Sequence, residues 1–247
     1  MKEWITGRNP VMEVMKVKRR QVFRLLLAAG VEERGRIQEM LVMAGQRKIP
    51  VEKVARERID RLGENPQGVA AEVSGYPYVD LQDILELADR RKEELFVLGL
   101  DLIQNPQNLG TLLRSAEAVG VHGVIIPTHR AAEVTPAVVS ASAGASEHMF
   151  IAQGNINRQL DQLKEAGAWV IGLAAEEGAS PLEKVPLTGP LVIVVGNEGD
   201  GIRPLVRQSC DFLLSLPMCG QIESLNAAVA RSIILYQVLL ARQSQAD

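Results

Sequence analysis

The chain has 247 residues, 47% of them hydrophobic and 23% charged, a globular composition that excludes a rod, a collagen-like repeat and long disorder. Cys210 and Cys219 with three histidines supply neither a disulfide framework nor a zinc site, so no metal is expected, and 4% aromatic residues leave little for base-stacking platforms. The net charge of −3 hides an asymmetry: residues 1–70 carry 15 Lys and Arg against 9 Asp and Glu, the remainder 12 against 21, so a basic part suited to phosphate precedes an acidic body.

In chain order, Gln21–Ala29 reads as a buried strand, and Val31–Gly45 as a helix with Ile37, Met40, Leu41 and Ala44 at three-to-four spacing. Ile49–Val51 follows as a short strand, Glu52–Leu62 as a helix and Val69–Val73 as a strand, with turn chemistry at Gly63–Gly68. These elements predict a small α/β domain over 1–73, then a linker and linker helix over 74–93 that includes Leu81–Arg91.

From Glu94 the rhythm changes. Apolar runs at Leu95–Leu100, Val121–Ile126, Met149–Ala152, Trp169–Ala174, Leu191–Val195 and Phe212–Leu216 alternate with helical stretches at Leu109–Val119, Ala131–Ser142, Ile156–Ala166, Ile202–Ser209 and Leu225–Arg242. That alternation predicts a parallel sheet covered on both faces across 94–247, with ligands at the carboxyl ends of its strands. No apolar run approaches the ~20 residues of a membrane span, and Met1–Trp4 opens no signal-like stretch. The expected protein is soluble and cytoplasmic.

The strand-end loops carry the chemistry. No G-x-G-x-x-G, P-loop or G-x-S-x-G pattern is present. One segment, Asp101–Arg114, holds Asn108, expected to cap the following helix, and Arg114 within that helix. A second, Val194–Ile202, runs through Gly196, Asn197, Glu198, Gly199, Asp200 and Gly201. Its glycines allow close backbone approach, but its carboxylates repel phosphate, so a neutral or cationic ligand suits it. The third, Leu216–Arg231, offers Ser224 as N-cap of the last helix and Asn226, which the cap does not need. Leu225, Ala228, Val229, Ile233 and Leu240 read as that helix's buried stripe, whereas Ile234, Val238 and Leu239 read as surplus apolar surface for a subunit interface. Cys219 and His148 read as structural.

Taken in this order, Asn105–Arg114, Val195–Ile202 and Ser215–Ala230 resemble the three motifs of the SpoU (TrmH-like) family of RNA ribose 2′-O-methyltransferases. The full-length layout is most similar to the family's 23S rRNA guanosine branch, in which a domain like ribosomal protein L30e comes first. The resemblance implies an α/β, SPOUT-type parallel sheet with a carboxy-terminal trefoil knot, a homodimer, and S-adenosyl-L-methionine as cofactor. Cofactor contacts map onto Leu173, Ala174, Ala175, Val195, Gly196, Asn197, Gly199, Leu216, Met218 and Leu225. The polar active-site set maps onto Asn108, Arg114, Glu198, Ser224 and Asn226. RNA affinity is expected from Arg8, Lys16, Lys18, Arg19 and Arg20.

The implied reaction is in-line attack of a ribose 2′-hydroxyl on a sulfonium methyl. The family's usual proposal makes the Arg114 equivalent the base, which sits badly with a guanidinium; alternatively Arg114 binds phosphate and the 2′-oxygen while water or a phosphate oxygen takes the proton. Two other readings stand beside 23S rRNA methylation: tRNA guanosine ribose methylation, and a non-catalytic RNA-binding ribosome-assembly factor.

Overall fold

The computed structural model describes residues 2–174, 179–197, 199, 201–217 and 227–246. Its elements are β1 (Lys2–Thr6), α1 (Arg8–Val17), β2 (Val22–Ala28), α2 (Arg36–Gln46), β3 (Val51–Val54), α3 (Arg56–Asp60), β4 (Val69–Ser74), α4 (Leu81–Arg91), β5 (Phe96–Leu100), α5 (Pro106–Ala118), β6 (Gly123–Pro127), α6 (Pro136–Ala141), β7 (Phe150–Gly154), α7 (Ile156–Glu165), β8 (Trp169–Leu173), β9 (Leu191–Val195), α8 (Pro204–Gln208), β10 (Phe212–Leu214) and α9 (Ala227–Ala246). Short 3₁₀ turns lie at Ala145–His148 and Leu182–Lys184.

The first four strands form one sheet in the order β1-β4-β2-β3, antiparallel except for β2 beside β3. Periodicity did not predict β1 and α1: Lys2–Thr6 is a charged five-residue edge strand, and α1 starts straight after Gly7, whose φ of 95° makes the turn between them. The strand expected at Ile49–Val51 lies instead at Val51–Val54, because those residues pair with Leu25–Ala28 of β2, and that pairing takes the start of the expected helix. The helix expected from Val31 begins only after Gly35, at φ 57°.

The other six strands are all parallel, in the order β10-β8-β9-β5-β6-β7. This is the expected α/β class, and the strand spans agree with the apolar runs to within a few residues. Strands β5, β6 and β9 are buried along their whole length, which is why they read as unbroken apolar runs. Ile84, Val97, Ile125, Leu160, Val170 and Val192 belong to one core cluster. Helix boundaries follow local chemistry. The Asp80/Asp83 capping box starts α4, and the Asn105 cap with Pro106 starts α5. Pro136 begins α6 five residues later than the periodicity predicts.

Two compact units divide the chain. One holds the chain as far as Pro77 with Leu109–Arg114 and Glu133–His148; the other holds Tyr78–Asn108, Ser115–Ala132 and the chain from Met149. Among the described residues no helix is long and apolar enough to cross a membrane. Residues 218–226, in the carboxy-terminal part where a trefoil knot is expected, lie outside the described residues.

Candidate functional site

The chain runs from β5 outward through β6 and β7, then returns to build β8, β9 and β10 on the other side of β5. The direction of winding therefore reverses between β5 and β9, and in open α/β sheets such a switch point opens a crevice beyond the strands' carboxyl ends. A cleft of about 330 Å³ lies there, lined by Leu102, Ile103, Gln104, Asn105 and Asn108 from the β5 side and by Asn197 and Gly199 from the β9 side.

The β9 loop is closed by its own backbone. Asn197 N–H donates to the Gly201 carbonyl at 3.1 Å, and the Asn197 side-chain oxygen accepts from Gly199 N–H at 2.9 Å. A Cβ on Gly196 would lie 1.9 Å from the Gly201 backbone. Gly196 is thus demanded by the crossing of the loop on itself, a tighter reason than the ligand approach expected of it, whereas a Cβ on Gly199 would meet nothing closer than 3.7 Å.

Charged side chains clamp this region. Asp101, fully buried at the end of β5, accepts from Arg203 Nε and backbone N–H, both at 2.8 Å, and pairs with its Nη2 at 2.6 Å. Asp101 N–H also donates to the Val195 carbonyl at 2.8 Å, so the β5 and β9 ends are held together. Arg231, buried on α9, donates to the Gly196 carbonyl. Next to it, the Ser232 hydroxyl donates to the Ala228 carbonyl and meets the Ser115 hydroxyl of α5 at 2.9 Å. Asp101, Arg203 and Arg231 had no role in the sequence reading. Their signals were a carboxylate ending an apolar strand and an arginine within the apolar run of the last helix.

The cleft gathers Asn108, Asn197 and Gly199. Asn108 does not cap α5 as expected: Asn105 does, accepting from Gln107 N–H at 2.8 Å, which leaves Asn108 inside the first turn and half-buried at the cleft wall. Arg114 is exposed further along α5. Leu173 and Ala174, Val195 and Gly196, and Leu216 lie at or just past the ends of the neighbouring strands β8, β9 and β10, and Ala174 N–H donates to the Leu214 carbonyl. Ala175, Glu198, Met218, Ser224, Leu225 and Asn226 lie outside the described residues, as do Asp200 and Cys219.

The expected RNA-contacting cations separate. Lys16 and Lys18 are exposed, Lys16 paired with Glu13 at 3.2 Å. Arg8 is half-buried against Gln67, and Arg19 donates to the Pro77 and Glu147 carbonyls. Arg20 requires a correction: it is 1% exposed, its guanidinium 2.9 Å from both Glu147 and Glu3, so it cannot present its charge to a phosphate. Burial raises the Glu147 pKa although Arg20 opposes the shift. His148 bonds Glu13 at 2.9 Å, the structural role expected of it.

On α9 the expected assignment is partly reversed. Ile234 and Val238 are fully buried within the chain, while Val229 and Leu240, expected inside, are about half exposed together with Tyr236. Burial pushes the Cys210 thiol up to about 12, out of nucleophilic range. Among the described residues no His, Cys, Asp and Glu group of metal-holding size occurs.

Two family models match this chain. The SpoU rRNA Methylase family covers residues 95–236, and the RNA 2′-O ribose methyltransferase substrate binding model covers residues 4–79. YacO of Bacillus subtilis (strain 168), named within the TrmH family of tRNA/rRNA methyltransferases, is 37% identical over 243 residues, 97% of this chain and 96% of the relative. A TrmH family relative from Staphylococcus saprophyticus is 37% identical over 98% of this chain and 97% of its own. Among solved structures, the SpoU methyltransferase AviRb from Streptomyces viridochromogenes, in complex with the cofactor AdoMet, superposes with a TM-score of 0.80 at 26% identity, over 98% of this chain and 91% of that one. The chain belongs to the SpoU family of RNA methyltransferases.

Proposed function

We propose that the protein transfers a methyl group from S-adenosylmethionine to a ribose 2′-hydroxyl of RNA, with a guanosine of 23S rRNA as the target. The observation that carries this reading is the switch-point cleft, which takes its walls from two of the three motif segments and lies between the ends of β5 and β9. The match of residues 4–79 to a substrate-binding model supports RNA as the partner, and the choice of rRNA over tRNA rests on the resemblance of the full-length layout to the family's rRNA branch.

The residues present fit such a cofactor. The ends of β8 and β10 offer partly exposed apolar side chains at Leu173 and Leu216, and the end of β9 at Val195 and Gly196 offers backbone polar groups. The loop Gly196–Gly201 carries two carboxylates and no cation, which suits a sulfonium and repels a phosphate. Bound there, S-adenosylmethionine supplies an electrophilic methyl on sulfur. Everything else is positioning and proton handling by the chain. The Asp101–Arg203 clamp keeps the two cleft walls in register. Asn108 orients the ribose through its side-chain amide, while Asn197 shapes the loop assigned to the cofactor. Arg114 holds a phosphate oxygen and the 2′-oxygen in its planar fork, which favours the oxyanion, and a phosphate oxygen or water accepts the proton.

Calorimetric titration should find one S-adenosylmethionine bound per chain. No heat with the cofactor, while RNA still binds, would contradict the reading and favour a non-catalytic RNA-binding assembly factor.

A further inference from the structure

Arg231 is a buried arginine on an otherwise apolar face of the last helix. It sits on α9, 4% exposed, in a stretch whose Ile234, Leu235 and Val238 are buried. An aliphatic side chain would fill that position without the desolvation cost of a guanidinium, which is offset only by strong hydrogen bonds. Arg231 Nη2 makes one to the Gly196 carbonyl, 35 residues away in sequence at the point where β9 turns into the glycine loop. A charged donor on a carbonyl in a buried setting is among the stronger hydrogen bonds available to a protein.

The next residue extends the connection. The Ser232 hydroxyl lies 2.9 Å from both the Ala228 carbonyl and the Ser115 hydroxyl, so it bonds its own helix and α5 together. Ser115 follows Arg114 on α5. One turn of α9 therefore grips the end of β9 through Arg231 and α5 through Ser232. Gly196 has no slack of its own, since its Cα packs directly on the Gly201 backbone. A shift of its carbonyl must move the Asn197–Gly201 bond and the Gly199 amide with it.

We propose that Arg231 is a positioning residue for methyl transfer: its guanidinium fixes the Gly196 carbonyl, and thereby the backbone of the loop that holds the cofactor, while Ser232 keeps the same helical turn in register with α5. This rests on the cofactor assignment above. Without Arg231 the loop still forms but samples other positions, so cofactor affinity falls while the sheet stays intact.

The test compares wild type, Arg231→Met and Arg231→Lys by hydrogen exchange, cofactor titration and thermal unfolding. In Arg231→Met the amides of Asn197 and Gly199 should exchange faster while those of β9 keep their protection, and cofactor affinity should fall roughly tenfold to hundredfold. Arg231→Lys, with a single cationic donor, should recover part of both. A residue that only filled space would change the melting temperature and leave the loop amides and cofactor affinity as in wild type; that result overturns the proposal. If Arg231→Met does not fold, Arg231→Gln, whose amide ends short of the carbonyl, carries the same expectations. Exchange needs no ligand, so a wild-type protein that fails to bind cofactor sinks the assignment of the site while the loop measurement still judges Arg231.

Discussion

In the proposed mechanism Arg114 bears on the chemistry most directly. It is exposed on the helix whose first turn forms one cleft wall, while the loop assigned to the cofactor belongs to a different strand end. If its planar fork bridges two oxygens, lysine cannot replace it, and Arg114→Lys should lose turnover nearly as severely as Arg114→Ala, about 10²–10³-fold. Cofactor affinity should stay within a few-fold of wild type in both, checked by single-turnover rates and calorimetry. A lysine variant with near-normal turnover would remove the bidentate role. Arg20 makes the opposite case, a cation that reads as an RNA contact and is a buried structural partner. Arg20→Met strands the Glu147 carboxylate and should cost about 3–5 kcal/mol at neutral pH. The double variant Arg20→Met, Glu147→Met should recover much of that, since Arg20 Nη2 and Glu147 Oε1 already lack hydrogen-bond partners. Burial has raised the Glu147 pKa above its ordinary 4.5, and losing Arg20 raises it further. The single-variant penalty is therefore full above that raised folded value and shrinks as pH falls through it, because the carboxyl then takes a proton. Urea unfolding at several pH values measures each quantity.

At the scale of elements, the parallel sheet was legible because β5, β6 and β9 are buried on both faces and so appear as continuous apolar runs. The first strand and helix were not legible, because Lys2–Thr6 gains its order from pairing with β4 and carries no pattern of its own. The cleft-bearing loops were found by composition. The clamps that set their geometry were not, because Asp101 with Arg203 and Arg231 with Gly196 are pairs distant in sequence. Spacing cannot say which cation meets which acceptor. Similarly, Arg20 and Lys18 look alike as letters, and only Glu3 and Glu147 closing on the first tell them apart. His122, buried just before β6, shows how one side chain ties elements together. Its Nδ1 accepts Phe96 N–H at 3.0 Å and its Nε2 lies 2.9 Å from Glu93. That geometry needs Nδ1 unprotonated. Burial lowers the pKa below the ordinary 6.5, outweighing Glu93. The stability His122 contributes is thus full above 6.5 and lost as pH falls through the lower folded value. Histidine NMR should find His122 titrating below 6.5, and His122→Asn should lack the wild-type loss of stability in that range; a normal titration would contradict the arrangement.

At the scale of the whole molecule, the proposed function assigns RNA affinity to the basic first 70 residues and methyl transfer to the acidic remainder. Replacing Arg8, Lys16 and Lys18 by glutamate should weaken RNA binding and flatten its salt dependence, by about 0.7–0.9 in log–log slope for each phosphate no longer neutralised, without changing cofactor affinity. Filter binding across a salt series measures this, and an unchanged slope would make the charge asymmetry incidental. The sequence placed a subunit interface at Ile234, Val238 and Leu239, but Ile234 and Val238 are taken by the chain's own core, and the apolar residues that α9 exposes are Val229, Tyr236 and Leu240. The central claim is ribose methylation of RNA, and its most direct measurement is the map of 2′-O-methyl sites in rRNA and tRNA from wild-type and deletion strains. The account predicts that one 2′-O-methylguanosine disappears from 23S rRNA and returns when the wild-type gene, but not Arg114→Ala, is restored. Maps identical between the two strains would contradict it.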